Sequence, residues 1–220
     1  MSSSSGILRS SVMPAASHID ESAKYPTDSS SQTYSLLFYG TLVHPAILAR
    51  MIGHQGSNLI VQPAILEGYA LHHVKGEDYP GLIPLSDSQK VLSQGDPGHS
   101  SKSPTKTAIR GMLVEGLSEA DVLKLDRFEG NEYIRQAVNV LLDESVQPLK
   151  NDQRSESQSI DQVLSSLTPE RIQTILNERR ASKRCHVYRW YASTDMLEPR
   201  IWTFETFMSS GNHHKWWNDA

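Results

Sequence analysis

The chain has 220 residues, of which 38% are hydrophobic, and this length allows one main core with tails or at most two small cores. The 21 basic and 25 acidic residues give a net charge of -4, and no basic run exceeds two residues, so nucleic acid is not an expected partner. No apolar stretch approaches the roughly 20 residues of a membrane span, and the single cysteine, Cys185, excludes an internal disulfide and favours a cytoplasmic compartment.

The sequence pattern of the N-terminal half predicts a disordered tail followed by strands. Residues 1–33 are rich in serine, threonine and proline and predict a disordered tail. Residues 86–106 are also polar and predict an inserted surface loop. Between and after these segments, apolar runs bounded by proline or glycine predict strands. The strands are predicted at 34–39, at 59–74 with interruptions at Pro63 and Gly68, after the turn 79–81, and at 109–117; a helix is predicted from Pro45.

The clearest helix of the sequence covers residues 117–130. Ser118 and Asp121 form a start that resembles a capping box, and Gly130 is a natural stop. Apolar residues recur at a spacing of three along one side of this helix. They are Val122, Leu125 and Phe128.

The rest of the chain alternates strand patterns with a polar segment. Strands are predicted at 133–142 and 185–191. The segment 144–183 between them predicts an insertion, which contains a helix capped by Thr168. Residues 196–220 predict a short C-terminal helix and tail, with Ile201, Trp202, Phe204 and Phe207 as packing residues and Trp216 and Trp217 left over.

Several kinds of chemistry are disfavoured by spacing. Cys185 and His186 are adjacent on a predicted strand, so their side chains lie on opposite faces and do not form a nucleophile and base pair. No histidines have the i, i+4 spacing of a helical metal site. The glycines form neither a dinucleotide-binding fingerprint nor a Walker loop. We therefore expect no metal and no nucleotide cofactor.

The buried strand that ends at Tyr39 is followed by Gly40 and Thr41 and then by a predicted helix start. Such a bend exposes backbone N–H groups at the positive end of a helix dipole, which suits a small anion such as a carboxylate. A tight strand-to-helix turn capped by Thr41 explains the same residues equally well. Spacing alone leaves both interpretations open.

Glu129 ends the predicted helix 117–130, directly after an apolar residue. Burial and the negative end of the helix dipole both disfavour its charged form, which raises the pKa towards the range useful for proton transfer. An ordinary solvated glutamate is the alternative, and most glutamate side chains are of that kind.

Five ordered motifs resemble the γ-glutamylcyclotransferase-like family, and specifically its branch of avirulence-induced proteins and γ-glutamylamine cyclotransferase. They are YGTL (39–42), YPGLIP (79–84), IRGMLVEGL (109–117), LDRFEGNEYIR (125–135) and VYRW (187–190). The resemblance covers roughly residues 35–142 and 184–195. It implies an α+β fold in which a small, mixed, barrel-like sheet is flanked by helices and holds one cavity, within a domain of residues 34–195.

The resemblance also implies roles for individual residues. Tyr39, Gly40, Thr41 and Leu42 match the family's substrate loop, and Glu129 matches its catalytic carboxylate. Tyr133 and Tyr188 match aromatic residues of the pocket. Arg135 follows Tyr133 as in the branch, and it either approaches the same cavity or forms a structural ion pair, because residues 133 and 135 share a strand face.

The implied reaction is cofactor-independent. The α-amine of a γ-glutamyl group attacks its own γ-carbonyl, closes 5-oxoproline and releases an amine or amino acid, with Glu129 as general acid and base. A small γ-glutamyl molecule is the expected partner, and neither nucleic acid nor a membrane is expected. The alternative is a non-catalytic binding or interaction protein on the same fold.

Overall fold

A computed structural model of the chain describes residues 32–95, 108–151, 166–179, 181–203 and 206–207. Residues 1–31 of the disordered tail predicted for residues 1–33, and Trp216 and Trp217, therefore lie outside the described residues. The strands are β1 (Tyr34–Phe38), β2 (Ile60–Glu67), β3 (Tyr69–Val74), β4 (Pro80–Pro84), β5 (Ala108–Leu117), β6 (Tyr133–Leu142), β7 (Leu149–Lys150), β8 (Ser182–Trp190) and β9 (Leu197–Ile201). The helices are α1 (Pro45–Ile52), α2 (Leu85–Ser93), α3 (Glu119–Glu129) and α4 (Pro169–Glu178).

Five strands close into a barrel-like sheet. Their order is β5, β1, β8, β6 and β2, and β2 pairs again with β5 to complete the ring. The sheet is mixed, because β1 runs parallel to β8 whereas the other pairs of the ring are antiparallel. A second sheet has the order β4, β3 and β9. The α+β fold with a mixed, barrel-like sheet and flanking helices is thus confirmed.

Strand β1 lies at the centre of the barrel wall, between β5 and β8. Its residues Leu36, Leu37 and Phe38 are all buried, although neighbouring side chains of a strand face opposite sides. The apolar run on both faces predicted this burial correctly. Helices α1 and α3 pack against each other beside the barrel and add Leu48, Ile52 and Leu125 to the same core.

Helix α3 begins as its sequence predicts. The Ser118 hydroxyl accepts a hydrogen bond from the Asp121 amide at 3.2 Å, and the Asp121 carboxylate accepts one from the Ser118 amide at 3.0 Å. This reciprocal pair is a capping box. Helix α1 begins at Pro45 as expected, but its cap is the His44 imidazole, which accepts from the Ala46 amide at 3.3 Å. Thr41 is therefore not the cap.

The predicted interruption at Pro63 is wrong. Pro63 lies within β2, opposite Met112 of β5. On its other edge β2 pairs with β7 at residues 60–61 and with β6 at residues 64–65. Pro63 thus lies in the gap between two short pairings, where a strand tolerates a residue that has no N–H group. The interruption predicted at Gly68 is present, because β2 ends and β3 starts there.

Part of the predicted surface loop 86–106 is helix α2. Its Ser88 side chain is buried and lies 2.8 Å from the Nε2 atom of the buried His72, and Val91 is buried beside it. Two inward residues among polar ones make too weak a periodic signal, so tertiary contacts decide this helix. Residues 96–107 lie outside the described residues.

The C-terminal segment also differs from its prediction. Residues 197–201, expected to enter a short helix and tail, form β9 and extend the second sheet along β3. Trp202 and Phe207 do pack on the core, with ring centroids 5.7 Å apart. The helix predicted after Thr168 is confirmed as α4, whose Ile175 packs against Ile65. None of the described helices has the length and apolar character needed to span a membrane.

Candidate active site

The fold contains a pocket of about 170 Å³ at one end of the barrel wall. Four parts of the chain meet there: the end of β1 with the turn after it, the start of β4, the end of α3 with the turn after it, and one tyrosine from each of β6 and β8. The lining residues are Leu37, Phe38, Tyr39, Gly40, Thr41, Leu42, Tyr79, Pro80, Phe128, Glu129, Glu132, Tyr133 and Tyr188. The predicted site residues are all among them except Arg135.

The turn after β1 forms one wall of this pocket. Residues Thr41–Val43 form a 3-10 turn, and the Val43 amide donates to the Gly40 carbonyl at 3.0 Å. The first amides of a helical turn have no partner within it, and no side chain caps this one. A methyl group at Gly40 would meet no atom within 4 Å. This wall therefore has backbone amides without a side-chain cap beside the open space at Gly40.

The placement of the turn corrects one expectation. The sequence suggested that these amides stand at the positive end of the following helix. Helix α1 instead starts at Pro45, after the 3-10 turn, with His44 as its cap. The amides near Gly40 thus precede α1 and do not stand at the positive end of its dipole.

Tyr39 connects the turn to the opposite strand. Its hydroxyl donates to the Tyr188 carbonyl at 2.5 Å. Burial, followed by the interactions with Tyr133 and with Glu129, raises the pKa of Tyr39 well above its ordinary value. The phenol therefore stays protonated and holds β1 against β8 beside the pocket.

Glu129 lines the pocket from the last residue of α3. Its side chain is half-buried and forms no hydrogen bond or ion pair with any other residue that the structure describes. Two effects raise the pKa of Glu129 to about 8. Burial is the larger, and the negative charge of Asp126 is the smaller. The rise expected from the sequence is confirmed, and its causes are burial and a neighbouring acid. A carboxyl group of this kind exchanges protons near neutral pH.

Phe128, expected to be buried with the apolar stripe of α3, is 38% exposed. Val122 and Leu125 do face the core. Because α3 ends at Glu129, its last turn extends past the core, and Phe128 comes to lie at the mouth of the pocket.

The two predicted tyrosines line the pocket from neighbouring strands. The Tyr133 hydroxyl donates to the Pro80 carbonyl at 3.0 Å, and its ring packs edge-on against Trp190. The Tyr188 hydroxyl donates to the Asp126 carboxylate at 2.8 Å. Burial is the main reason that the pKa of each of these phenols lies far above its ordinary value. Both rings are thereby fixed as neutral walls.

Arg135 lies outside the pocket. The residue is exposed as a whole, its side chain is partly covered, and its Nε atom donates to the Asp126 carboxylate at 2.7 Å. Of the two possibilities left by the sequence, the structural ion pair is the one present. Asp126 therefore joins Arg135 to the hydroxyl of Tyr188, and Arg135 supports the pocket wall from behind.

Sequence reasoning did not assign a site role to Tyr79 or Glu132. The Tyr79 hydroxyl donates to the Glu132 carboxylate at 3.2 Å. Burial first, and then the charges of Glu132 and Glu77, raise the pKa of Tyr79 to about 12. Both residues stand inside the motifs YPGLIP and FEGNEYIR, so their neighbours in those motifs were the available signal.

Other reactive groups are separate from this pocket. Cys185 is buried, and burial raises the pKa of its thiol to about 12. Among the described residues, no three histidine, cysteine or acidic side chains lie close enough together to hold a metal ion. The pocket is therefore the candidate active site.

Residues 36–154 match the family described as "Gamma-glutamyl cyclotransferase, AIG2-like". The match covers more than half of the chain, and the chain belongs to this family. It includes the turn at Gly40 and Glu129, whereas Tyr188 lies after its end.

Proteins of Arabidopsis thaliana are among the relatives. The chain is 28% identical over 124 residues to Protein AIG2 C, which is 56% of this chain and 62% of that protein. It is 26% identical over 123 residues to Protein AIG2 A, which is 53% of this chain and 56% of that protein. The chain thus spans less than two thirds of the length of the curated relatives it matches.

Solved structures show weaker likeness. A solution structure of an Arabidopsis thaliana protein has 20% identity and a TM-score of 0.45, with 88% of each chain covered. A crystal structure of a yeast γ-glutamyl cyclotransferase specific to glutathione has 18% identity and a TM-score of 0.38, with 72% of this chain and 69% of that chain covered.

Proposed function

We propose that the protein is an enzyme that cyclises a γ-glutamyl group to 5-oxoproline and releases the amine or amino acid attached to it. The observation that carries this proposal is that Glu129 and the amide-rich turn after Tyr39, which lie about ninety residues apart in the chain, line one pocket. A cytoplasmic location is part of the proposal and rests on the single, buried cysteine.

The reaction is intramolecular, so positioning is the main task of the protein. The α-amine nitrogen forms a bond to the γ-carbonyl carbon, and the bond from that carbon to the departing nitrogen breaks. A γ-glutamyl chain must be folded for this attack. The pocket supports that role because fixed rings form its walls, and a rigid wall holds a folded substrate with little loss of entropy on binding.

Glu129 is the proposed general acid and base. As a carboxylate it takes a proton from the α-ammonium, which frees the nucleophile, and as an acid it gives a proton to the departing nitrogen. A pKa of about 8 keeps both forms accessible near neutral pH. The lack of a hydrogen-bond partner among the described residues leaves both carboxyl oxygens available to the substrate.

The turn at residues 39–42 is the proposed anchor. The Thr41 hydroxyl and the amides of Gly40 and Leu42 are the candidate donors for the α-carboxylate of the substrate. Amide donors are also suited to the oxyanion that develops on the γ-carbonyl, because such groups need no reorganisation in the transition state.

The test is a direct assay of 5-oxoproline. The purified protein is incubated with γ-glutamyl-lysine, glutathione and simple γ-glutamyl dipeptides. We expect turnover on at least one of them, and we expect Glu129→Gln to lower kcat/KM by about 10² to 10⁴, the usual contribution of general acid and base catalysis. The variant should keep its fold, because Gln has the same shape and Glu129 has no partner to lose.

Glu119→Gln is the matched control, since Glu119 is an exposed acid at the other end of α3. Its activity should equal that of the unmodified protein. Absence of turnover on every substrate, with γ-glutamyl ligands still raising the melting temperature, would contradict catalysis and support a non-catalytic binding protein.

A further inference from the structure

Asp126 is a neighbour of Glu129 on helix α3. The two acids are three residues apart, a spacing at which helical side chains lie next to each other, with about 5 to 6 Å between their Cβ atoms. Glu129 lines the pocket and Asp126 does not. The charge of Asp126 therefore acts on Glu129 from outside the space that a substrate would fill.

One oxygen of Asp126 binds two side chains of the barrel. Its Oδ1 atom accepts from the Tyr188 hydroxyl at 2.8 Å and from the Arg135 Nε atom at 2.7 Å. Arg135 and Tyr188 are opposite each other in the register of β6 and β8, so their side chains leave the same face of the sheet. This cross-strand pair fixes Asp126, and with it the last turn of α3, against the barrel.

Arg135 carries the balancing positive charge and stands outside the pocket. Its guanidinium group lies 6.0 Å from the centre of the Tyr34 ring, and neither residue lines the pocket. The negative charge of Asp126 is the second cause, after burial, of the raised pKa of Glu129, and the charge of Arg135 is not among these causes. Of the two charges, the acid therefore has the stronger influence on Glu129.

The other titratable groups around Glu129 are three phenols and one acid. Tyr39, Tyr133 and Tyr188 interact with Glu129 from the end of β1, from β6 and from β8. Burial is the main reason that the pKa of each phenol lies far above 10.0, so all three are neutral near pH 8. Glu132 lines the same pocket but is not among the causes that raise the pKa of Glu129.

We propose that Asp126 and Arg135 are positioning residues of the active site, a pair of opposite charges that sets the pH range in which Glu129 exchanges its proton. The inference rests on the proposed function, in which Glu129 is the general acid and base. Asp126 favours the protonated form of Glu129, and Arg135 limits this effect because it partly neutralises Asp126. The charge pair thereby keeps both forms of Glu129 accessible near neutral pH.

Removal of either charge should move the titration of Glu129 in opposite directions. Asp126→Asn keeps an oxygen that accepts from the Tyr188 hydroxyl, but it removes the negative charge and leaves Arg135 unbalanced. Arg135→Gln keeps Asp126 and its bond to Tyr188, but it removes the positive charge. The first change should favour the charged form of Glu129, and the second should favour the protonated form.

The titration of Glu129 is measurable without turnover. In protein labelled with ¹³C at the glutamate carboxyl groups, the NMR signal of Glu129 is the one that Glu129→Gln removes. We expect a midpoint near 8 in the unmodified protein. It should lie about one pH unit lower in Asp126→Asn and about half a pH unit higher in Arg135→Gln.

Two control variants separate this effect from the loss of an arginine in general. Arg135→Lys retains the positive charge and should retain the midpoint. Arg179→Gln removes the arginine of another surface ion pair, 2.7 Å from Glu67, and should also leave the midpoint unchanged. An unchanged midpoint in either Asp126→Asn or Arg135→Gln, or movement of both in one direction, would overturn the inference.

Activity gives a second, independent measurement. For γ-glutamyl-lysine, the ratio of kcat/KM at pH 6.5 to kcat/KM at pH 8.5 should rise about fivefold in Asp126→Asn and fall about twofold in Arg135→Gln. A purely structural role of the charge pair would lower kcat/KM by one factor at both pH values, and this result would contradict the inference. Absence of 5-oxoproline from every γ-glutamyl substrate defeats the proposed function, whereas the carboxyl titration still decides whether the charge pair controls the protonation of Glu129.

Discussion

The two ends of helix α3 each hold an acidic side chain, and the two acids have opposite surroundings. At the start, Asp121 is buried and accepts from the Ser118 amide and hydroxyl, and its other oxygen lies 2.9 Å from the His54 Nε2 atom. Burial alone would raise the pKa of Asp121, but the bonds from Ser118 and His54 outweigh it and lower the pKa. At the end, Glu129 has burial and no such donors, and its pKa rises to about 8.

This contrast separates stability from reactivity within one helix. An acid with three donors is fixed in its charged form and contributes to the fold. An acid in a pocket without donors changes its protonation easily and weakens the fold when it is charged. We therefore expect substitutions at the two ends to have different effects, and the predictions below run from the largest to the smallest change in stability.

Asp121→Ala should destabilise the protein by removing the capping box at the start of α3. The change removes the charge-assisted hydrogen bonds of the capping box, and we expect the free energy of unfolding to fall by about 2 to 3 kcal/mol. Urea denaturation measures this loss. Turnover per folded molecule should be retained, because Asp121 does not line the pocket.

The control for that change is Glu119→Ala, which removes an exposed acid from the same helical turn and should cost less than about 1 kcal/mol. A loss of turnover in folded Asp121→Ala as large as that of Glu129→Gln would show that the two ends do not act separately.

Much of this helix could be predicted from the sequence, because its signals are local. The Ser118 and Asp121 pair, the apolar spacing and Gly130 fixed the bounds of α3, and the apolar run before Tyr39 fixed β1 as a buried strand. Helix α2 and strand β9 could not be predicted in this way. Their main determinants are contacts with distant residues, such as Ser88 with His72 and Leu197 opposite Val74.

The site residues likewise divide into those that sequence motifs identified and those that depend on contacts between distant residues. The family resemblance predicted that Glu129 and the turn at residues 39–42 belong to one site, and both line the same pocket. The sequence could not decide the position of Arg135, since a strand face is shared by pocket and surface residues along its length. It also gave no role to Glu132, whose contact with Tyr79 joins residues that are 53 positions apart.

The contribution of Glu129, at the end of α3, to stability should depend on pH. The folded pKa of Glu129 is raised above its ordinary value of 4.5, so its stability contribution is complete below pH 4.5 and is lost as pH rises through about 8. Between pH 6 and 9 the unmodified protein should lose about 1 to 2 kcal/mol more stability than Glu129→Gln, a value reduced because the side chain keeps some solvent contact.

Denaturation of both proteins at several pH values measures this difference, and groups other than Glu129 titrate in both and cancel. Over the same range kcat/KM should rise with pH to a plateau above 8, because the base must be deprotonated. Parallel stability curves for the two proteins would show that Glu129 titrates at its ordinary pKa.

The smallest expected change in stability concerns the turn that faces Glu129. At Gly40 a methyl group would meet open space, whereas at Gly111 it would collide with the Phe38 carbonyl and press on Leu37. Gly40 has a φ of -121°, outside the left-handed region that favours glycine. Gly40→Ala should therefore change stability by less than about 1 kcal/mol, and Gly111→Ala should destabilise by about 1 to 3 kcal/mol.

Substrate binding should respond to Gly40→Ala although stability hardly changes. The space at Gly40 belongs to the pocket, so a methyl group there takes volume from the substrate, and we expect KM to rise about tenfold, the order of effect that a small misfit produces in a binding pocket. Folded Gly111→Ala should also affect KM, because Leu37 and Phe38, against which its methyl group presses, line the same pocket. If Gly40→Ala had an unchanged KM for every γ-glutamyl substrate, the open space beside Gly40 would not be where the substrate lies, and the turn would be a structural feature only.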